Sequence, residues 1–404
     1  MPLGEDASLT LSAEIRVRED GYGQGQLKRG NSYGQGQLRT VAGADLRLGA
    51  HVRLFGEVAS GHVAGRRDSA APSFQNVASA QQLFAEFKGS LGTTQAGVLV
   101  GRQEFADGPK QLISLGDGPN LHRTWNGVRA YLQGTNARAG VFDFRATGLA
   151  GGSFDERVNH GERLQGAVAS LILSCGPEVT AFVDPFWYHS VQPVFRLGSR
   201  VGQDIRDTAG TRLWGQWERL KFDITLAHQS GRFQHQEVDA WGLFTVHSYA
   251  LSREGWKPTL TLHVDAASGG GFDGSGRLTT FNPLYASSSY LGEGQFLGLG
   301  NLLLVAPGLS VAPTPTTRWS AEYGLARRMT RHDPAYAGGL RAYAGTAASP
   351  ERRSGGLLRI TGSWTPCELL TFSLNYEHLS AEGSLHRAGL PSGSYGYLGA
   401  TYRY

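Results

Sequence analysis

The side chains in this sequence best suited to chemistry are its arginines. Of 38 Lys and Arg residues only Lys28, Lys88, Lys110, Lys221 and Lys257 are lysines; Asp and Glu number 34, and the formal net charge is +4. A guanidinium offers a rigid fork of donors that meets a carboxylate or phosphate at two points, whereas an ammonium is a point charge. High genomic GC content would favour arginine as well. The most distinctive stretch that carries them reads Gly101-Arg-Gln-Glu-Phe105, then Asp117-Gly-Pro-Asn120, then Arg123-Thr-Trp-Asn-Gly-Val-Arg129. Its Gly, Pro, Asp and Asn residues mark a loop between a strand end and a strand start. Catalytic patterns do not accompany it. There is no His-Glu-x-x-His, Walker loop, EF-hand loop or Gly-x-Ser-x-Gly elbow, and Gly21-x-Gly23-x-Gly25 does not lead from a strand into a helix. The 12 His are scattered without metal-ligand spacing, and His228 and His235 read as rim residues flanking a loop. The expectation is no cofactor and no metal. Charges of both signs are abundant, which argues against a nucleic-acid partner.

Strands must hold these arginines. Gly supplies 57 of 404 residues, against a usual share of about 7%, and Tyr, Phe and Trp supply 15, 18 and 8. Period-2 alternation recurs throughout. In Ser8–Arg18, Leu9, Leu11, Ala13, Ile15 and Val17 take one face and Glu14, Arg16 and Arg18 the other. The same reading predicts strands over 37–48, 52–62, 80–89, 94–104, 124–133, 137–147, 163–174, 178–188, 209–219, 222–231, 239–249, 258–266, 302–312, 316–328, 355–364, 369–379 and Ser394–Tyr404, eighteen in all. Pro307 points to a bulge or a late start in the 302–312 strand. Strands of this length suit a tilted bilayer crossing. One face is apolar and the other carries mid-strand charges, which predicts a membrane barrel with a wet lumen. Connections alternate short (49–51, 90–93, 134–136, 175–177) and long (63–79, 105–123, 148–162, 189–208, 267–301, 380–393), as periplasmic turns and external loops do. The fold class expected is all-β: a single antiparallel transmembrane β-barrel filling residues 1–404. The N-terminus lacks an apolar leader, so an exported chain would have had one removed.

Alternation places Arg16, Arg18, Arg39, Arg53, Arg123, Arg129, Arg145, Arg212, Arg359 and Arg403 on the lumen face. Arg102 shares parity with Val98 and Val100; an inward turn is inferred for it only because its neighbour strand needs a partner. Rings of arginine exclude cations and attract anions. The bland role is bracing, by pairing with Asp45, Glu57, Glu86 or Asp143. Most of these arginines are expected to brace and a minority to face the permeant. Cys175 and Cys367 fall in turns nearly opposite across the barrel, too far apart for a disulfide.

The Gly101–Arg129 segment resembles the signature of the alginate export porin family, outer-membrane barrels of bacteria with 18 strands. Phe281-Asn-Pro-Leu-Tyr285, Gly300-Asn-Leu302 with Trp319, and Asp333-Pro-Ala-Tyr336 extend the resemblance in order along the chain. It departs at Thr365-Pro-Cys-Glu368, a tight turn where the best-known members carry a long periplasmic plug loop. The resemblance implies passive passage of an anionic polysaccharide, an alginate-like uronate polymer or related anions. It implies outer-membrane lipid and lipopolysaccharide as surroundings. The terminal Tyr404 resembles the signal through which barrel-assembly machinery takes up a last strand. Three alternatives stay open: an uptake porin for small organic anions, a barrel enzyme, and an adhesin-like barrel whose loops bind partners.

Overall fold

The computed structural model describes residues 2–4, 6–65 and 70–404. Eighteen antiparallel strands form one closed barrel. They are β1 (Ala7–Gly23), β2 (Tyr33–Leu48), β3 (Val52–Ala64), β4 (Asn76–Leu91), β5 (Thr94–Glu104), β6 (Thr124–Gln133), β7 (Ala137–Gly148), β8 (Arg157–Cys175) and β9 (Val179–Leu197). Then follow β10 (Arg200–Trp217), β11 (Leu220–Phe233), β12 (Gln236–Ala250), β13 (Thr259–Ala267), β14 (Leu302–Thr314), β15 (Thr317–Arg327), β16 (Arg353–Cys367), β17 (Leu370–Ala381) and β18 (Gly393–Arg403). β18 pairs back onto β1 from Ser394↔Gly23 to Arg403↔Glu14, so the ring leaves no open edge. Pro2–Gly4 adds a short strand beside the start of β1.

Each of the eighteen predicted strands is present. Pro307 neither bulges nor delays its strand: the ladder to β15 skips Ala306 and Pro307 and resumes at Gly308 in the same register. The 189–208 connection, expected as a long loop, is strand almost throughout. β9 and β10 stay paired up to Leu197↔Arg200, and the turn is Gly198-Ser199 with Gly198 at φ +61. β11 and β12 likewise meet at Gln234-His235. Outward positions there are polar (His189, Asp207, His228, Asp239), so the hydrophobic alternation fades although the pleat continues. Residues 66–69 of the predicted 63–79 loop lie outside the described residues.

The outer wall is apolar: Ile15, Val17, Val98, Val128, Leu132, Val141, Leu213 and Leu226 are all exposed. Exposed Trp187 and Trp241 border this band toward the long loops, and Trp217, Trp364 and Tyr402 toward the short turns. No helix among the described residues is long and apolar enough to cross a membrane. The lumen is not wet along its whole length, as the alternation implied. The connections 105–123, 268–301 and 328–352 fold inward and pack on the wall through Phe105, Ile113, Trp125, Phe144, Phe281, Tyr285, Phe296 and Tyr336. The half of the barrel nearest the long loops therefore has a hydrophobic core, and the half nearest the short turns keeps the open lumen.

Cys175 and Cys367 end β8 and β16, and both are exposed and unpaired. Denaturing alkylation without reductant should add two adducts to the intact mass. A mass two daltons light with no adduct would contradict the strand order.

Candidate functional site: the arginines of the barrel interior

Nine of the eleven arginines predicted for the lumen occupy inward positions, and most are committed to partners. Arg18 sits between Asp20 at 2.9 Å and Glu293 at 2.7 Å, and lies over the Tyr397 ring. Arg39 pairs with Glu14 (3.2 Å) and meets His122, whose other ring nitrogen is 2.6 Å from Glu104. Arg53 lies between Asp45 (2.9 Å) and Glu86 (3.6 Å). Arg212 donates twice to Asp223, at 2.9 and 2.6 Å. Arg359 reaches Glu322 (3.3 Å) and the carbonyls of Ser289 and Tyr290. Arg403 pairs with Glu14 at the rim (2.8 Å) and is mostly exposed.

Arg16 and Arg123 hold loops without a carboxylate. Arg16 donates to the carbonyls of Asp117 and Pro119 and to Asn120 Oδ1. Arg123 donates to the carbonyls of Ser114 (3.0 Å) and Tyr285 (2.8 Å) and lies over the Tyr285 ring. Burial pulls its pKa below the ordinary guanidinium value. Arg129 differs from the rest. It faces the Phe105 ring at 5.3 Å and has neither a hydrogen bond nor an ion pair to any of the described residues.

Arg145 and Arg102 require correction: neither lines the lumen. β7 alternates buried Phe142, Phe144 and Ala146 with exposed Val141 and Asp143, and Arg145 shares the exposed parity. Its inward face is aromatic because the inturned loops pack there. Its outward face is polar because it rises above the apolar band. Polarity alone therefore reads this strand inside out, and Asp143 is outward as well, bonded to Arg163 (2.8 Å). Arg102 stands between Leu83 and Asn126 in the ladder, and Leu83 is exposed. Its guanidinium donates to Asn126 Oδ1 (3.0 Å), the Ala80 carbonyl (2.8 Å) and Glu156 (2.7 Å).

The same inversion hid Arg138. It shares parity with Phe142 on the inward face, is exposed, and has no hydrogen bond or ion pair to the described residues. Arg206 was missed because its segment read as a loop. It is fully buried, with Nε 2.9 Å from both oxygens of Asp204, and Nη1 donates to Gln229 Oε1 and the Thr280 carbonyl.

The distinctive sequence motifs turn out to lock loops. Trp125 is buried edge-on against Tyr285, with centroids 4.8 Å apart. The Ser114 amide donates to the Tyr285 carbonyl and the Tyr285 amide to the Leu112 carbonyl, which ties 105–123 to 268–301. Asn120 Nδ2 bonds the carbonyls of His62 and Phe74. Asn282 bonds Asp204 (3.1 Å) and the Leu284 amide (2.8 Å). Asp333 accepts from Thr280 Oγ1, the Gly270 amide and Tyr336. Burial pushes its carboxyl above the usual range, against the pull of those donors. Two of the cavities that remain lie on either side of the loops. One of about 280 Å³ faces the long-loop end and includes Arg123, Pro119, Leu284, Ser288 and Leu291. The other, of about 910 Å³, lies at the short-turn end and includes Phe182, Trp214, Lys221, Asp223 and Pro109.

A family model described as alginate export matches residues 8–394. The chain belongs to the alginate export family. Solved structures with the same barrel include OpdO of Pseudomonas aeruginosa, at 13% identity and TM-score 0.63, covering 99% of this chain and 97% of that one. OpdK of the same organism, solved with vanillate, matches at 11% identity and TM-score 0.64 over 98% of each chain. A BenF-like porin from Pseudomonas fluorescens Pf-5 matches at 10% identity and TM-score 0.63 over 99% of each. No curated protein matches the sequence. At these identities the likeness is one of fold. Family and barrel together place this alginate export family member in the bacterial outer membrane. Its short turns are then periplasmic and its long loops external.

That orientation has a direct check. With Cys175 and Cys367 replaced by Ser, an impermeant thiol reagent should label Ser275→Cys on intact cells and spare Thr135→Cys. The reverse pattern would turn the barrel over.

Proposed function

We propose that this outer-membrane porin conducts anions passively and passes chains of anionic sugar, with uronate as the preferred unit. Arg129 carries the reading. It is an inward guanidinium with no hydrogen bond or ion pair to the described residues; Asp107 and Glu86 act on it only at longer range. A uronate entering a narrow lumen loses water from its carboxylate, and a free guanidinium fork replaces that water at two points. Phe105 behind Arg129 limits the rotamers the side chain can take. Arg138, nearer the periplasmic mouth, gives a second free charge, so a chain can step from one to the next. Conduction needs such repeated and weak binding, since a single tight site would trap the polymer. The family description, alginate export, supports a uronate polymer as cargo. Neither role requires a covalent step, and we read the protein as a channel rather than an enzyme.

One observation favours a second reading. The external cavity of about 280 Å³ combines Arg123 with Leu284, Leu291 and Leu297, a composition suited to a small carboxylate with an apolar body. Planar-bilayer recordings separate the two. The polymer reading expects an anion-selective reversal potential and block by uronate oligomers that strengthens with length. Block by small aromatic carboxylates, with indifference to uronates, would favour the second.

A further inference from the structure

The periplasmic mouth holds an aromatic stack that anion selectivity does not use. Phe182 of β9 and Trp214 of β10 are ladder partners on the inward face. Their rings stack with centroids 4.3 Å apart and planes 16° from parallel. Trp214 is fixed from two further directions. Its Nε1 donates to Asp184 Oδ2 at 2.7 Å, and the Arg212 guanidinium lies 4.8 Å from its centroid. Phe182 and that guanidinium both lie against the indole, and Ile172 of β8 is the ladder partner of Phe182 on its other side. Both rings are only half-buried.

The stack separates two spaces. On one side is the cavity of about 910 Å³ described above. On the other is a recess of about 210 Å³ that also includes Arg138, Gln133, Asn136 and Ser170. Half-exposed aromatic rings inside a lumen have no lipid to cover them, and among the described loop residues Pro109 reaches the cavity beside this stack. A flat apolar ring, three neutral polar side chains and one uncommitted guanidinium in a recess this small are a composed set. A pyranose ring presents an apolar C–H face, a rim of hydroxyls and, in a uronate, one carboxylate. Its C–H face suits the negative face of an aromatic ring, its hydroxyls suit amides and a serine, and its carboxylate suits the arginine fork.

We propose that Phe182, backed by Trp214 and flanked by Arg138, is an entry subsite that docks one uronate ring at the periplasmic mouth before the chain reaches Arg129. This rests on the uronate-channel reading. The subsite gives the polymer a preferred side of entry. At the external end the stacked rings of Tyr22 and Tyr33 pack against Tyr395 instead of flanking a free guanidinium.

The test uses the full-length channel in planar bilayers, with oligouronates and neutral oligosaccharides of equal length added on the periplasmic side. Phe182→Leu keeps apolar volume but removes the flat face. It should weaken block by both oligomers by about two- to twelvefold, the range of an aromatic stacking contact. Arg138→Gln should weaken block by the charged oligomer only. A second measurement leaves the stack untouched: Gln133→Cys, in a background with Cys175 and Cys367 replaced by Ser, should be protected from a thiol reagent by oligouronate and not by chloride of equal ionic strength. Unchanged block in Phe182→Leu, or no protection at Gln133→Cys while oligouronates still block, overturns the subsite and leaves the channel reading standing. A channel that oligouronates never block overturns both.

Discussion

Replacing Arg129 with Ser lowers the channel's preference for anions, and does so more at 0.01 M than at 1 M salt. The side chain has no hydrogen bond or ion pair to the described residues, so the substitution removes charge from the lumen without unlocking the wall. A unit charge 10 Å from an ion contributes about 0.4 kcal/mol in bulk water and about 1.7 kcal/mol at an effective dielectric of 20. Anion permeability therefore falls by about twofold at the first limit and more than tenfold at the second. The Debye length shrinks from about 30 Å to about 3 Å between the two salt concentrations, which is why the effect fades. Arg129→Lys keeps the charge and loses the fork, so chloride selectivity persists while uronate block weakens. Arg123→Ser behaves differently. It removes the donors to Ser114 and Tyr285 and disturbs loop 105–123, so conductance changes more than selectivity. A reversal potential unmoved by Arg129→Ser in a folded channel would make this arginine part of the wall.

Asp204→Ala should release loop 268–301 from the lumen. Arg206 and Asp204 are both fully buried, and truncating one member of such a pair leaves the other uncompensated at a cost of about 3–5 kcal/mol. The same change removes an acceptor from Asn282 in the loop. The barrel is closed by its own backbone ladder, so the penalty falls on loop docking. Single-channel conductance should rise, and protease added to intact cells should cut between Ser268 and Asn301. Asp143→Ala, which removes an exposed outward pair with Arg163, should change neither. Resistance and conductance identical to the unaltered protein would show that Arg206 does not hold the loop.

The barrel was legible because alternation reports a physical boundary: in the membrane band, residues such as Ile15 and Val128 meet lipid and their neighbours do not. That rule lapses where the boundary moves. Above the band, outward Arg145 and Asp143 meet water while inward Phe142 and Phe144 meet the loops, and polarity alone assigned them backwards. β9 through β12 were cut short for the same reason at His189 and Asp207. The candidate site was legible as a set of inward arginines but not as a choice among them. Whether Arg53 is spent on Asp45, or Arg129 left free, depends on contacts that only the closed ring and the inturned loops create. The segment that looked most chemical, Asp117-Gly-Pro-Asn120, serves Arg16 and Arg18 as a carbonyl surface.

The paired extension of β9–β12 past the aromatic band has a consequence for what meets the cell from outside. Along that arc the rim is a stiff palisade of hydrogen-bonded hairpins, ending in turns too tight for a protease to grip. Amide exchange should stay slow there to the tips and be faster in the exposed loop segments elsewhere on the rim. Tags, epitopes or grafted peptides would be displayed rigidly on one arc and on pliant ground on the other.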